Sequence, residues 1–311
     1  MNADKFLVCG FLSAILAAQT TPTFRANVAL VRADAEVVED GRTLNGFTRD
    51  DFRLLDEGKP QPIVQFSSGE LPLDLILLFD ISGSMRPLVS TVAAASRQAL
   101  QELRRGDRVC VRVFSIRSRE IAPFSDDLEA VRKTIEEDVM HQKFNGGTAI
   151  QNAVDAAAHR FLSEPKGERR RAVLIITDNM GIHTRSERSV VRNFWEADAL
   201  LSGLIVSRKH TRAAKTVLAV TNPAFFLMMT AGGMKGIAEK TGGDAMSATD
   251  PGAAFQESMR RIRSRYSLYY AQPDATPGTM RTIRVELTGD AAKQHPTARV
   301  RARTGYVVPK N

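Results

Sequence analysis

Cysteine is almost missing from this 311-residue chain: only Cys9 and Cys110 occur. Cys9 falls in a segment that reads as removable, so no intrachain disulfide framework is expected. Cys110 sits in Val109-Cys110-Val111-Arg112-Val113 and reads as a small buried hydrophobe of a strand, with nothing nearby to activate a thiolate. Aromatic residues make up 6% of the chain, so the core must rest on Val, Leu, Ile and Ala. The five histidines, His141, His159, His183, His210 and His295, are dispersed and read mostly as surface residues. No Ser-His-Asp or paired-acid arrangement is visible, which argues against a hydrolase of those kinds. Long apolar runs are also lacking. Residues 6–18, uncharged after Lys5, are too short to span a bilayer comfortably and read as the core of an export signal cut after Ala18.

What is present describes a globular protein. Hydrophobic residues make up 43% and charged residues 25%, enough for a sizeable core in one large domain or two modest ones. The net charge is +8, carried mostly by scattered arginines. The tightest cluster, Arg169-Arg170-Arg171, reads as a solvated loop leading into a strand. No nucleic-acid-binding motif accompanies it, so no nucleic-acid partner is expected.

Hydrophobic patterning divides the chain. Residues 26–70 read as a small β-rich unit: an alternating strand over 27–38, a capped helical turn at 48–52, and short strands at 52–55 and 63–66. From 71 to 265, apolar runs alternate with helical periodicity. Strands are expected at 73–79, 108–114, 172–177 and 201–206, with an edge strand at 120–124. Helices are expected at 88–103, 128–139, 148–162, 186–200, 235–241 and 253–263. Continuous apolar strands alternating with helices predict an α/β fold with a doubly wound, mostly parallel sheet. The tail, 266–311, returns to antiparallel-type alternation and is expected to pair with the N-terminal unit, giving a small accessory β domain from both chain ends. Residues 212–233 resist this scheme. They are apolar but interrupted by Asn222-Pro223, and read as an extended loop with a hydrophobic patch.

Three segments carry oxygen-rich chemistry, and each follows a strand. They are Asp80-Ile81-Ser82-Gly83-Ser84-Met85, Asn145-Gly146-Gly147-Thr148-Ala149 and Ile175-Ile176-Thr177-Asp178. Singly, each polar residue passes for a helix cap or a turn residue. Together they are five hard oxygen donors, Asp80, Ser82, Ser84, Thr148 and Asp178, with no His or Cys among them. That set favours Mg²⁺, with Mn²⁺ or Ca²⁺ as alternatives, over zinc or copper. Gly83 is expected to let the backbone turn between the serines, and Gly146 and Gly147 to let the second loop approach closely.

In this order the five residues resemble the metal-ion-dependent adhesion site of von Willebrand factor A domains, over residues 70–265 by element order. The segment from Phe47 through Thr48-Arg49-Asp50-Asp51 to Gln61, the tail Tyr266-Ser267-Leu268-Tyr269-Tyr270 and the final Val300-Arg301-Ala302-Arg303-Thr304-Gly305-Tyr306 resemble a bacterial group of exported A-domain-related proteins, frequent in Acidobacteria. That family usually has glycine after the last aspartate. Here Asn179 follows, a residue that tolerates left-handed backbone. The resemblance implies a non-enzymatic, cation-dependent protein-binding module of the envelope or exterior, whose ion completes its shell with a partner's acidic side chain. Two other readings are weighed beside it: a hydrolase or phosphotransferase using Asp80, and a structural assembly protein with a vestigial metal site. The phosphotransferase pattern calls for a second aspartate where Ser82 stands.

Overall fold

A computed structural model describes residues 29–165, 167–182, 185–206, 220–221 and 233–309. The expected export signal at 1–18 lies outside the described residues, as does nearly all of the apolar segment 212–233. The N-terminal strands are β1 (Leu30–Glu39), β2 (Arg42–Leu44), β3 (Phe52–Asp56), β4 (Lys59–Gln61) and β5 (Gln65–Ser68). The α/β part follows with β6 (Leu73–Asp80), α1 (Arg86–Ala94), α2 (Ser96–Leu100), β7 (Arg108–Phe114), β8 (Ser118–Ser125), α3 (Leu128–Lys133) and α4 (Ile150–Leu162). It continues with β9 (Arg170–Thr177), α5 (Glu187–Glu196), β10 (Ala199–Val206), α6 (Met234–Thr241), β11 (Ala245–Ala248) and α7 (Pro251–Arg263). The tail holds β12 (Tyr266–Ala271), β13 (Met280–Leu287), α8 (Gly289–Gln294), β14 (Arg299–Arg301) and β15 (Gly305–Val307).

The central sheet has six strands in the order β11-β10-β9-β6-β7-β8. All its pairs are parallel except β7 with β8. Every residue of β6 and β9 is buried, because both faces are covered. One apolar cluster joins alternate residues of β6 (Leu73, Leu75, Leu77, Phe79) to α1, α2 and α7. The other faces of β6 and β9 (Ile76, Leu78, Val173, Ile175) pack with α4, α5 and α6. This is the expected doubly wound arrangement. The antiparallel sheets are likewise present: β1 pairs with β12, β14 and β2, and β13 pairs with β3 and β15. Their own core gathers Ala33, Leu54, Tyr266, Tyr270 and Ile283.

Several local expectations are corrected. The helix expected over 88–103 is two shorter helices parted at Ala95. The helix at 128–139 is α-helical only to Lys133, after which Thr134–Asp138 forms a π turn. The helix expected to run to residue 200 stops at Glu196, and β10 begins at Ala199 after a turn in which Asp198 has φ 52°. Arg169-Arg170-Arg171 is not a solvated loop. Arg170 and Arg171 open β9 and are buried. Arg170 donates to the carbonyls of Ile262 and Arg263, and Arg171 to those of Ala197, Glu164 and Pro165. Carbonyls at element ends supply many acceptors in one place, and a guanidinium with five donors can satisfy several at once. The charged side of β1 is covered too: Arg32 reaches Asp198 at 2.6 Å, and Glu36 pairs with Arg265 at 3.1 Å.

Candidate metal centre

In the sheet order, β6 has β7 on one side and β9 on the other. The chain leaves β6 toward β7 and returns to its opposite flank with β9. In such a sheet the connections at the carboxyl ends part at this switch point and leave a crevice between them. Asp80 is the last residue of β6, and Asp178 follows the last residue of β9. Both aspartates therefore stand at the mouth of that crevice. Ser82 and Ser84 lie in the loop to α1, and Thr148 lies two residues before α4.

Hydrogen bonds draw these loops together. The Ser84 hydroxyl donates to Asp178 Oδ2 at 2.8 Å, joining the first segment to the third. Asp80 Oδ1 accepts from the Ser82 N–H at 2.9 Å, and Asp80 Oδ2 from the Thr177 hydroxyl at 2.7 Å. Thr148 enters through its main chain, its carbonyl accepting from Ile182 N–H at 2.7 Å. The next residue, Ala149, donates its N–H to Ser115 O at 2.9 Å, and Ile81 donates to Phe114 O at 2.8 Å, so the end of β7 braces both loops. Asp80, Ser82, Thr148 and Asp178 are all buried.

Glycines act where the backbone needs them, and not always where expected. Gly146 has φ 77°, and a Cβ at Gly181 would lie 2.7 Å from Thr148 O. That second contact is too short for any side chain, so Gly181 permits the approach of the loop after β9 to Thr148. Gly83, expected to turn between the serines, has no positive φ, and a Cβ there would make only an ordinary 3.9 Å contact with Phe144 O. Asn179 does adopt the left-handed conformation, with φ 56°.

Thr177 is the residue the sequence reading passed over. Its hydroxyl donates to Asp80 and accepts from the Asn179 N–H at 3.1 Å. It thus ties the end of β6 to the turn carrying Asp178. Its position directly before Asp178, at the close of an apolar strand, was the available signal.

The electrostatics are uneven. Burial pushes the Asp80 carboxyl up to about 6, against the Ser82 and Thr177 hydrogen bonds that favour its charged form; nearby Asp178 adds a smaller push upward. The hydroxyl of Ser82 is buried against the Asp80 carboxyl and meets no other partner among the described residues. A buried hydroxyl beside a carboxylate that has no cationic partner among the described residues fits a small hard cation. Among the described residues no group of three or more His, Cys, Asp or Glu side chains is placed to hold a metal. The candidate set is instead two carboxylates and three hydroxyls, an oxygen-only set of the kind magnesium accepts.

Residues 75–181 match the family model of the von Willebrand factor type A domain. Similar solved structures include an aerotolerance-related membrane protein from Bacteroides fragilis, at 16% identity and a TM-score of 0.45, covering 61% of this chain and 98% of that one. A conserved hypothetical protein, BatB, from Bacteroides thetaiotaomicron has 18% identity and a TM-score of 0.44, covering 61% and 97%. A von Willebrand factor type A structure from Catenulispora acidiphila has 12% identity and a TM-score of 0.46, covering 84% and 74%. No curated protein matches the chain. The family match runs from β6 through Asp178 and so contains all five candidate ligands, within an α/β fold of the von Willebrand factor type A kind.

Proposed function

We propose that the chain is a non-enzymatic protein-binding module that works through a divalent cation, with Mg²⁺ the best-fitting ion. Asp80, Ser82, Ser84, Thr148 and Asp178 would hold it. Hydroxyl and carboxylate ligands leave such an ion partly neutralised, so it attracts an anionic oxygen, here the acidic side chain of a partner protein. The observation that carries this reading is the junction of the three loops at the switch point, with the buried Ser82 hydroxyl against Asp80 and no other partner for it among the described residues. The von Willebrand factor type A match over 75–181 supports the interaction role. The signal-like residues 6–18 support export to the envelope or exterior, and the flanking segments support kinship with the exported bacterial group. No helix among the described residues is long and apolar enough to cross a membrane.

The test is capture on the immobilised chain from a native envelope fraction. With Mg²⁺ a partner is retained, EDTA releases it, and Asp80→Ala retains none. Capture that survives both EDTA and the substitution would sink the reading. Turnover in a phosphatase and esterase screen, lost in Asp80→Ala, would move the site to the enzymes.

A further inference from the structure

The floor of the crevice is acidic, but its rim is not. The rim consists of residues 81–87 after β6, 115–119 at the turn from β7 into β8, 141–149 before α4 and 179–182 after β9. These loops hold Arg86, Arg117, Arg119 and Lys143, and neither aspartate nor glutamate. All four cationic residues are exposed. Arg86 lies over the Phe144 ring and Arg119 donates to the Gln142 side chain, but none of the four makes an ion pair among the described residues.

The loops are joined to the metal residues by direct contact. A Cβ on Gly147 would stand 3.3 Å from Ile116 Cδ1, and one on Gly83 would stand 3.9 Å from Phe144 O. Ile182 donates its N–H to Thr148 O at 2.7 Å. Ile116 and Ile182 therefore both sit against the Thr148 loop, yet they stay 51% and 39% exposed. One exposed isoleucine means little. Two of them on one loop, among cations without ion pairs, give the rim an apolar element as well as a charge.

The acids that border these loops in the chain do not reverse its sign. Glu120 accepts from Arg112 and Arg160, Asp155 pairs with Arg185 at 3.1 Å, and Glu187 pairs with Lys240 at 2.5 Å. Asp138 is exposed and makes no side-chain ion pair among the described residues. Asp80 and Asp178 lie beneath, where a divalent cation would balance them. Four fixed positive charges then stand against the single charge of Asp138. A rim of one sign draws in, and holds, segments of the other.

We propose that the rim selects a partner segment in which the acid taken by the cation is accompanied by further aspartates or glutamates and by an aliphatic residue. The further carboxylates meet the charges of Arg117, Lys143 and their neighbours, and the aliphatic side chain meets Ile116 and Ile182. This rests on the metal-dependent binding proposed above, which by itself asks for one acid only.

The probe is a fluorescently labelled, end-blocked peptide of glutamates around a central leucine, followed by anisotropy on the full chain in Mg²⁺. One counterpart keeps a single glutamate and carries glutamine for the rest. Another carries glycine for the leucine. The glutamate-rich peptide is expected to bind roughly tenfold tighter than the single-glutamate peptide at low salt, the sum of several exposed charge pairs. That advantage is expected to vanish in about 1 M salt, where charges are screened within roughly 3 Å. The double variant Arg117→Gln with Lys143→Gln is expected to bind the two peptides nearly alike, with Mg²⁺ binding and melting temperature unchanged. Ile116→Ser is expected to remove a severalfold preference for leucine over glycine. Failure of the rim and failure of the cation look different. Equal affinity for the glutamate-rich and single-glutamate peptides, both lost in EDTA, overturns the rim and leaves the metal site standing. A preference for the glutamate-rich peptide that survives EDTA but not the double variant supports the rim and sinks the cation's part. A preference kept in the double variant, or no saturable binding of either peptide at millimolar concentration, overturns the proposal.

Discussion

Asp74 and Asp80 stand near opposite ends of the same strand, β6, and both are buried, yet the chain treats them in opposite ways. Asp74 is gripped by Arg108 at 2.9 and 2.7 Å and by Arg169 at 2.6 Å. Burial works against its charge, but the two guanidinium groups outweigh that and hold the carboxyl below its ordinary range. Among the described residues Asp80 meets an amide N–H and hydroxyls but no cationic side chain, and burial pushes it up to about 6. At one end the charge is compensated within the chain. At the other, no cationic side chain among the described residues compensates it. The proposed cation does for Asp80 what Arg108 and Arg169 do for Asp74.

The largest expected effect comes from breaking the compensated end. Asp74→Ala strips Arg108 and Arg169 of a shared buried partner, and should cost about 3 kcal/mol in urea unfolding, as for other broken buried pairs. The wild-type protein loses the same contribution in acid, as the pH falls through the depressed Asp74 value. A cost near zero would erase the contrast between the two ends.

The effect at Asp80 has the reverse sign. Its carboxyl rises from 3.8 in the unfolded chain to about 6 when folded, so between those values the folded state holds the proton more tightly. In the metal-free protein, stability should fall as pH rises from 4 to 6, by at most roughly 3 kcal/mol. Asp80→Asn removes the charge and should flatten that slope, leaving metal-free protein more stable than wild type at neutral pH. Thermal melts in EDTA across this range check it. A variant less stable than wild type at neutral pH would show that Asp80 is satisfied by the fold alone.

The smallest effect concerns Asn179. At φ 56°, Asn179→Ala should cost about 1 kcal/mol, the usual penalty for left-handed backbone. Asn179→Gly should change stability by only a few tenths, on the order of a cap replacement. Equal melting temperatures for the two variants would mean that the turn bearing Asp178 relaxes without cost.

The same contrast explains what the sequence could and could not reveal. The strands of the central sheet were legible because a strand covered on both faces must be apolar throughout, as 73–79 and 172–177 are. Asp80 and Asp178 stand where the sequence puts them, at the ends of such strands, whereas Thr148 follows no strand and lies between the π turn at Thr134–Asp138 and α4. The arginine framework was hidden. Arg170 and Arg171 look like surface charge in a linear reading, and only the fold supplies the carbonyls of Ile262, Arg263 and Ala197 that allow their burial. Thr177 was hidden for a related reason. Its partner, Asp80, is 97 residues away, and the pairing exists only once β6 and β9 are neighbours.

A cation that finishes the Asp80 end of β6, as proposed, would bind there with measurable heat. Isothermal titration of the full chain with Mg²⁺ tests it most directly, on wild type, Asp80→Ala and Asp74→Asn. One saturable site is expected in wild type, lost in Asp80→Ala and kept in Asp74→Asn. Equal Mg²⁺ binding by wild type and Asp80→Ala would contradict it.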